Sequence, residues 1–212
     1  MVNPTINRIE SRESEDSPFC FMNEENIMDL SYLPSATEGH MTPSPEVLNL
    51  WKDIKAKTDF KHIFEIGTNA GHSAAIIMTL FEDVKVTSID IGAHPYTSVA
   101  VSVLKEKFGD RFNYIEMNTV SYFDGLKNST IQFPEGVDII NIDGDHSVNG
   151  ALNDIMMARH LKLKNILIDD FAMYGVPQAY AIASQGFTIV ETYNYAYYSN
   201  PVQMALIHYE TN

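Results

Sequence analysis

Ile63-Phe64-Glu65-Ile66-Gly67-Thr68-Asn69-Ala70-Gly71-His72-Ser73 is an apolar run that ends in an acid and then opens into a glycine-bracketed turn. The pattern predicts a buried strand, a tight loop and the start of a helix. In an open α/β sheet such a turn lies at the carboxyl end of the strand, where ligands bind. Gly67 and Gly71 would let the backbone come close to a ligand, with the first amide groups of the helix facing it. A ligand-free turn with purely structural glycines fits the same residues.

The pattern continues outward from this stretch. From Lys61 the chain reads strand 62–67, helix 71–81, strand 84–90, helix 97–108 closed by Gly109, and strand 112–117. A fourth strand, 137–143, follows a Pro/Gly loop; a helix covers 148–162 and a fifth strand 165–171. Such alternation predicts a parallel sheet with helices on both faces. Pro177 starts a short helix that stops at Gly186, and two last strands cover 187–194 and 202–209. Only Tyr195 to Pro201 separate those two, whereas a parallel crossover takes about a dozen residues or more, so they form an antiparallel hairpin. Upstream, Ser44-Pro45-Glu46 supplies an N-cap, a first-turn proline and an early acid for a helix over 45–57. Val47, Trp51 and Ile54 repeat there at helical spacing, with Trp51 read as core.

A chain of 212 residues suits one domain, here 41–212, with an extension over 1–40. The extension is polar and acidic through Glu10 to Asp16, then carries short apolar patches such as Phe19 to Met22. It could close over a site as a lid or pack against a second subunit in a homo-oligomer. A net charge of −14 would repel phosphate backbones, which argues against a nucleic-acid partner. The single cysteine, Cys20, excludes an intrachain disulfide and a cysteine-based metal site. Met1 to Ser17 has no apolar signal core, and no run approaches the length of a membrane span, so a cytoplasmic protein without membrane contact is expected.

Four polar clusters fall at the carboxyl ends of successive strands. The first is the opening stretch itself. Glu65 places a negative charge just before the turn, unhelpful for a pyrophosphate but suited to a ribose hydroxyl or a cationic ligand. Gly67-x-x-x-Gly71 also lacks the G-x-G-x-x-G spacing of the dinucleotide fingerprint. Both features point away from NAD and towards S-adenosylmethionine. The second is Asp90, where a carboxylate could accept both hydroxyls of a ribose. The third is Met117-Asn118-Thr119-Val120-Ser121, whose side chains could meet an adenine ring or cap a helix. In the fourth, Asp143-Gly144-Asp145-His146 ends one strand and Asp169-Asp170 the next. Adjacent parallel strands would bring Asp143, Asp169 and Asp170 together, and crowded carboxylates with all-oxygen donors favour a divalent cation, Mg²⁺ above others. Ordinary turn and helix-start residues are the competing account. His146 fits a general base or a hydrogen-bonding loop residue. Tyr174 and the Tyr193–Tyr198 cluster fit either an acceptor pocket or plain packing.

Taken together, these motifs over about residues 38–210 resemble the class I S-adenosylmethionine-dependent O-methyltransferases. The resemblance is nearest to the metal-dependent small-molecule group that includes macrocin and sugar O-methyltransferases. It implies a Rossmann-like seven-stranded sheet in the order 3-2-1-4-5-7-6 with strand 7 antiparallel. It implies that Glu65, Gly67, Thr68, Asn69 and Gly71 line the methionine part of the cofactor, that Asp90 holds the ribose, and that Asn118 and Thr119 lie near the adenine. Gly39-His40-Met41-Thr42 would close over cofactor and acceptor. Asp143, counted with the cofactor-facing residues too, matches a metal ligand together with Asp169 and Asp170; Asp145 matches a general base, with His146 as its competitor. Two departures stand out: Leu161 to Asn165 lacks the usual Pro-Gly-Gly, and Asn118 stands where an acid is common. The implied reaction is methyl transfer to a hydroxyl of a small molecule, with the metal lowering the hydroxyl pKa. The alternatives are a methyltransferase acting on a macromolecule, disfavoured by charge and by the lack of an Asn/Asp-Pro-Pro-Tyr/Phe sequence after the fourth strand; a non-catalytic Rossmann-like binding or scaffold protein; and an NAD-dependent enzyme.

Overall fold

The computed structural model describes residues 28–36, 41–197 and 200–210. Local sequence sets the ends of its first helix, α1 (Pro45–Thr58). The Ser44 hydroxyl accepts from the Val47 amide at 3.3 Å, Pro45 and Glu46 fill the first turn, and Lys55 and Lys57 lie in the last. Val47, Leu50, Trp51 and Ile54 face inward; Trp51 is fully buried, the core position expected of it.

Strands and helices then alternate as β1 (His62–Ile66), α2 (His72–Leu80), β2 (Lys85–Asp90), α3 (Pro95–Phe108), β3 (Phe112–Glu116), α4 (Thr119–Lys127), β4 (Ile139–Ile142), α5 (Val148–His160), β5 (Asn165–Ile168) and α6 (Val176–Ala183). The hairpin β6 (Phe187–Tyr197) and β7 (Asn200–Tyr209) follows. These form a seven-stranded sheet in the order β3-β2-β1-β4-β5-β7-β6. Strands β1 to β5 pair in parallel, while β7 runs antiparallel to both β5 and β6. This is the architecture expected from the sequence.

Three differences bear on the site. Strands β4 and β5 end at Ile142 and Ile168, so Asp143, Asp169 and Asp170 lie just beyond the sheet, where their side chains are no longer committed to alternate faces. Helix α4 is absent from the expected run of elements, although a helix cap was one of the two readings of the 117–121 cluster; Asn118 caps it by accepting from the Val120 amide at 2.8 Å. The hairpin strands also run on past the expected ends, pairing Tyr195 with Val202 and Tyr197 with Asn200. What reads as a seven-residue loop is mostly strand, because the aromatic alternation of Tyr193, Tyr195 and Tyr197 continues the period-2 pattern.

Period-2 alternation also builds a core on each face of the sheet. Ile63, Ile139, Leu167 and Leu206 pack with α1, α2 and α3. Phe64, Ile140, Ile166, Ile168 and Ile207 pack with α4, α5 and α6. Leu30 and Leu33 join the first core, and the Lys107 ammonium sits 4.0 Å from the centroid of the Tyr32 ring. Residues 28–36 therefore dock on this body, although the sequence places them in the extension. Residues 1–27, with Cys20 and the Phe19 to Met22 patch, lie outside the described residues, as do Gly39, His40 and Tyr198. Among the described residues no helix is long and apolar enough to cross a membrane.

Candidate active site

At the carboxyl edge, single backbone bonds carry the sheet one residue past the strand ends. The Gly67 amide donates to the Ile89 carbonyl at 2.9 Å, that of Asp143 to Ile66 at 3.0 Å, and that of Asp169 to Ile142 at 3.0 Å. The loops that follow β1, β2, β4 and β5 thus start level with one another around a cavity of 1180 Å³. This exceeds the roughly 300–1,000 Å³ usual for one ligand, so two reactants can lie in it together.

The glycine turn forms one end. Gly67 has φ +94°, and a Cβ there would stand 2.0 Å from the Asp143 carbonyl oxygen. Gly71 has φ +77°, and its Cβ would meet Leu104 Cδ1 at 2.6 Å. A side chain at these positions would therefore strike the loop after β4 and helix α3; Gly67 lines the cavity, whereas Gly71 does not. Thr68, Asn69, Asp90, Asn118 and Thr119 also line it. Asp90 braces the turn: its Oδ2 accepts from the amides of Thr68 at 2.9 Å and Asn69 at 3.0 Å, and Oδ1 from Gly92 at 2.7 Å. A carboxylate has about four acceptor positions, so Asp90 keeps capacity for a ligand hydroxyl.

Glu65 is not in the cavity wall. It is fully buried behind the turn, where its carboxyl accepts from the Ser73 hydroxyl and, at 2.7 Å, from Ser88. Burial pushes its pKa up to about 7, against the opposing effect of the two hydroxyls. Ser88 and Thr68, whose oxygens lie 2.6 Å apart, join Glu65 to the turn. Sequence reasoning missed this polar layer, whose only signal was serine or threonine at inward positions of β2 and α2.

The loops after β4 and β5 form the other end. His146 lies between two carboxylates, Nε2 3.2 Å from Asp143 Oδ1 and Nδ1 2.9 Å from Asp170 Oδ2. Burial alone would lower the imidazole pKa; the two carboxylates outweigh it and push it up to about 10. Burial raises the pKa of Asp143, partly offset by His146. Tyr174 stacks on the imidazole, with centroids 5.7 Å apart and an interplanar angle of 18°, while remaining 70 % exposed. Its φ of 55° and the 49° of Asp170 put both in left-handed backbone, which a bulky tyrosine rarely adopts and which collects at functional sites.

Asp169 points elsewhere. The Tyr195 hydroxyl donates to its carboxyl, 2.8 Å and 2.6 Å from the two oxygens, and burial followed by the nearby Asp143 holds its pKa well above the usual carboxylate range. Asp145 accepts from the Ser147 amide at 2.9 Å and the Ser147 hydroxyl at 3.0 Å at the start of α5. Tyr193 is turned away from the cavity, its hydroxyl donating to Asp53 of α1 at 2.7 Å. Asp154, which sequence reasoning also missed, is buried behind Gly144 and raised to about 6 by that burial.

As the side chains stand, the expected divalent-cation set is not assembled. A histidine occupies the gap between Asp143 and Asp170, Asp169 is engaged by Tyr195, and among the described residues no three His, Cys, Asp or Glu side chains converge to hold a metal ion. Asp143, Asp169 and Asp170 are neighbours along the sheet edge, as expected; one oxygen of Asp143 and one of Asp170 face His146, and Asp169 faces Tyr195.

Comparison with solved structures finds the same fold in an O-methyltransferase from Bacillus cereus in complex with SAH, with a TM-score of 0.62, 16% identity and coverage of 85% of this chain and 86% of that one. A candidate O-methyltransferase from Klebsiella pneumoniae gives 0.62 at 17% identity, covering 84% of each chain. A candidate RNA methyltransferase from Pyrococcus horikoshii gives 0.60 at 11%, covering 84% and 87%. At such identities the likeness is one of fold. Comparison with curated proteins finds no match. The sequence model of the methyltransferase domain matches residues 64–170, half of the chain and the part that runs from β1 to the Asp169-Asp170 pair. The chain belongs to that methyltransferase-domain family.

Proposed function

We propose that the protein transfers the methyl group of S-adenosylmethionine to a hydroxyl of a small molecule. The observation that carries this reading is the two-ended cavity, with an Asp90-braced glycine turn at one end and the Asp143–His146–Asp170 cluster at the other. Thr68, Asn69, Asp90, Asn118 and Thr119 would hold the cofactor, which supplies a methyl group activated as a sulfonium. The SAH bound to the Bacillus cereus enzyme supports this assignment.

Held by these residues, the cofactor would supply its methyl carbon to the acceptor oxygen, and its sulfur would keep the electron pair of the carbon–sulfur bond. The hydroxyl proton would pass to the Asp143–His146–Asp170 cluster at the other end of the cavity. Asp145 is the less available partner, because Ser147 already holds both of its oxygens. Walls that align the two reactants can supply about 7–11 kcal/mol of the barrier reduction. A net charge of −14 and the acidic far end support a small acceptor over a nucleic acid.

Isothermal titration with S-adenosylhomocysteine tests the cofactor: binding near the micromolar range, about −8 kcal/mol, weakened in Asp90→Ala, is the expected result. Labelled methyl transfer to a panel of hydroxylated small molecules then tests the reaction, with His146→Ala slowed about 10²–10⁴-fold. Absence of binding by the parent protein would overturn the reading.

A further inference from the structure

We infer that Asp154 makes the cavity selective for adenine from behind its wall. By taking the Thr119 hydroxyl as its donor, it leaves the Thr119 oxygen to accept from the exocyclic amine of the base. The inference rests on the methyl-transfer reading of the cavity and concerns the end that holds the cofactor's base.

The strand order fixes which end that is. Strand β2 lies between β1 and β3, so Asp90 at the end of β2 stands between the glycine turn after β1 and the Asn118-Thr119 pair after β3. A cofactor whose ribose meets Asp90 and whose methyl group faces the loop after β4 lays its base against Asn118 and Thr119, both in the cavity wall. The Asn118 side-chain oxygen is already engaged as the cap of α4, at 2.8 Å from the Val120 amide. Thr119 is the next hydrogen-bonding side chain of that wall.

Behind Thr119 lies the Asp154 carboxyl, on α5 and only 1 % exposed. A carboxyl buried that far is costly unless it is hydrogen-bonded. Asn153 Nδ2 donates to Asp154 Oδ1 at 3.0 Å, and a hydrogen bond from Thr119 favours the same ionised form. Gly144, also in the cavity wall, lets the carboxyl pack directly against the loop after β4, since a Cβ there would stand 3.3 Å from Asp154 Oδ2. One buried carboxyl thus backs two parts of the wall, on loops that follow different strands.

The donors and acceptors then follow by counting. An ionised carboxylate only accepts, so the Thr119 hydroxyl gives its one proton to Asp154. The Asn153 amide, with Nδ2 3.5 Å from Thr119 Oγ1, is a donor too and faces one lone pair of that oxygen. What Thr119 has left for a ligand is a lone pair, which suits an amine and repels a carbonyl. Adenine carries an amine at this edge, whereas hypoxanthine carries a carbonyl oxygen in the same place. Thr119 touches the base; Asp154 acts through it and is a positioning residue.

Isothermal titration of the full chain compares S-adenosylhomocysteine with S-inosylhomocysteine, its analogue with hypoxanthine as the base. The parent is expected to bind the adenine form about tenfold or more tightly than the analogue. Asp154→Asn keeps the shape but can donate to Thr119 as well as accept from it, so the ratio of the two affinities should fall at least about threefold. Thr119→Val should lower the ratio as far, whereas Thr119→Ser, which restores the hydroxyl, should keep it. Circular dichroism checks that each variant is folded. Equal binding of the two ligands by the parent would overturn the inference. So would a folded Asp154→Asn or Thr119→Val that weakens both ligands by the same factor and leaves the ratio unchanged, which is what a merely structural role produces. A parent that binds neither ligand would remove the methyltransferase reading itself, an outcome distinct from binding without discrimination.

Discussion

Glu65→Gln is expected to stabilise the protein above neutral pH and to change little in mild acid. Glu65 has no exposed surface, and among the described residues its carboxyl is served by two serine hydroxyls and no cation. Burial raises its pKa from 4.5 to about 7. Between those values the native state keeps a proton that the unfolded chain has released, so stability falls as pH rises through this window and is level above it. Full ionisation of a carboxyl displaced that far costs roughly 3 kcal/mol. Glutamine has nearly the same shape and no titration, and serine hydroxyls can accept from its amide as readily as donate to its carbonyl. The melting temperature of the variant minus that of the parent should therefore grow by roughly 6–12 °C from about pH 4.5 to about pH 8 for a chain of this length. Thermal unfolding followed by circular dichroism measures both proteins at each pH, and taking the difference cancels the titration of every other group. A difference that stays constant across this range would refute the account of Glu65 as a buried carboxyl without a countercharge.

Gly67→Ala should lower stability by at least roughly 2 kcal/mol, since the new Cβ meets the Asp143 carbonyl at a positive φ; an unchanged urea midpoint would show that the turn can move away from β4. Tyr195→Phe removes the hydroxyl that serves the buried Asp169 carboxyl and should cost about 1–3 kcal/mol. Equal stability of that variant and the parent in urea unfolding would mean that water replaces the hydroxyl.

The alternation of strand and helix, the reversed hairpin and the row of acids at one sheet edge were legible because each depends on short-range pattern. Ile63 to Ile66 reads as a buried strand from apolar content alone, and a glycine turn followed by a helix start is local chemistry. The resemblance supplied the strand order, which periodicity does not contain. Side-chain partners were harder to read. Asp143 and Asp169 were placed as neighbours from strand adjacency, yet their partners come from a loop histidine three residues on and from a hairpin strand 26 residues away. Tyr195 reads as a loop residue because Asn, Ser and Pro cluster around it, whereas pairing with β7 carries it into the sheet.

By itself, then, the sequence determined a doubly wound α/β sheet with an antiparallel end and its polar residues at the carboxyl edge, because backbone hydrogen bonding and hydrophobic periodicity act over a few residues. Only the tertiary structure decided that Glu65 is buried behind the turn, that a side chain at Gly67 or Gly71 would strike the loop after β4 or helix α3, and that His146 lies between two aspartates. Those outcomes depend on which side chain reaches a shared gap first and with what charge, and that is set by distances between elements far apart in the chain.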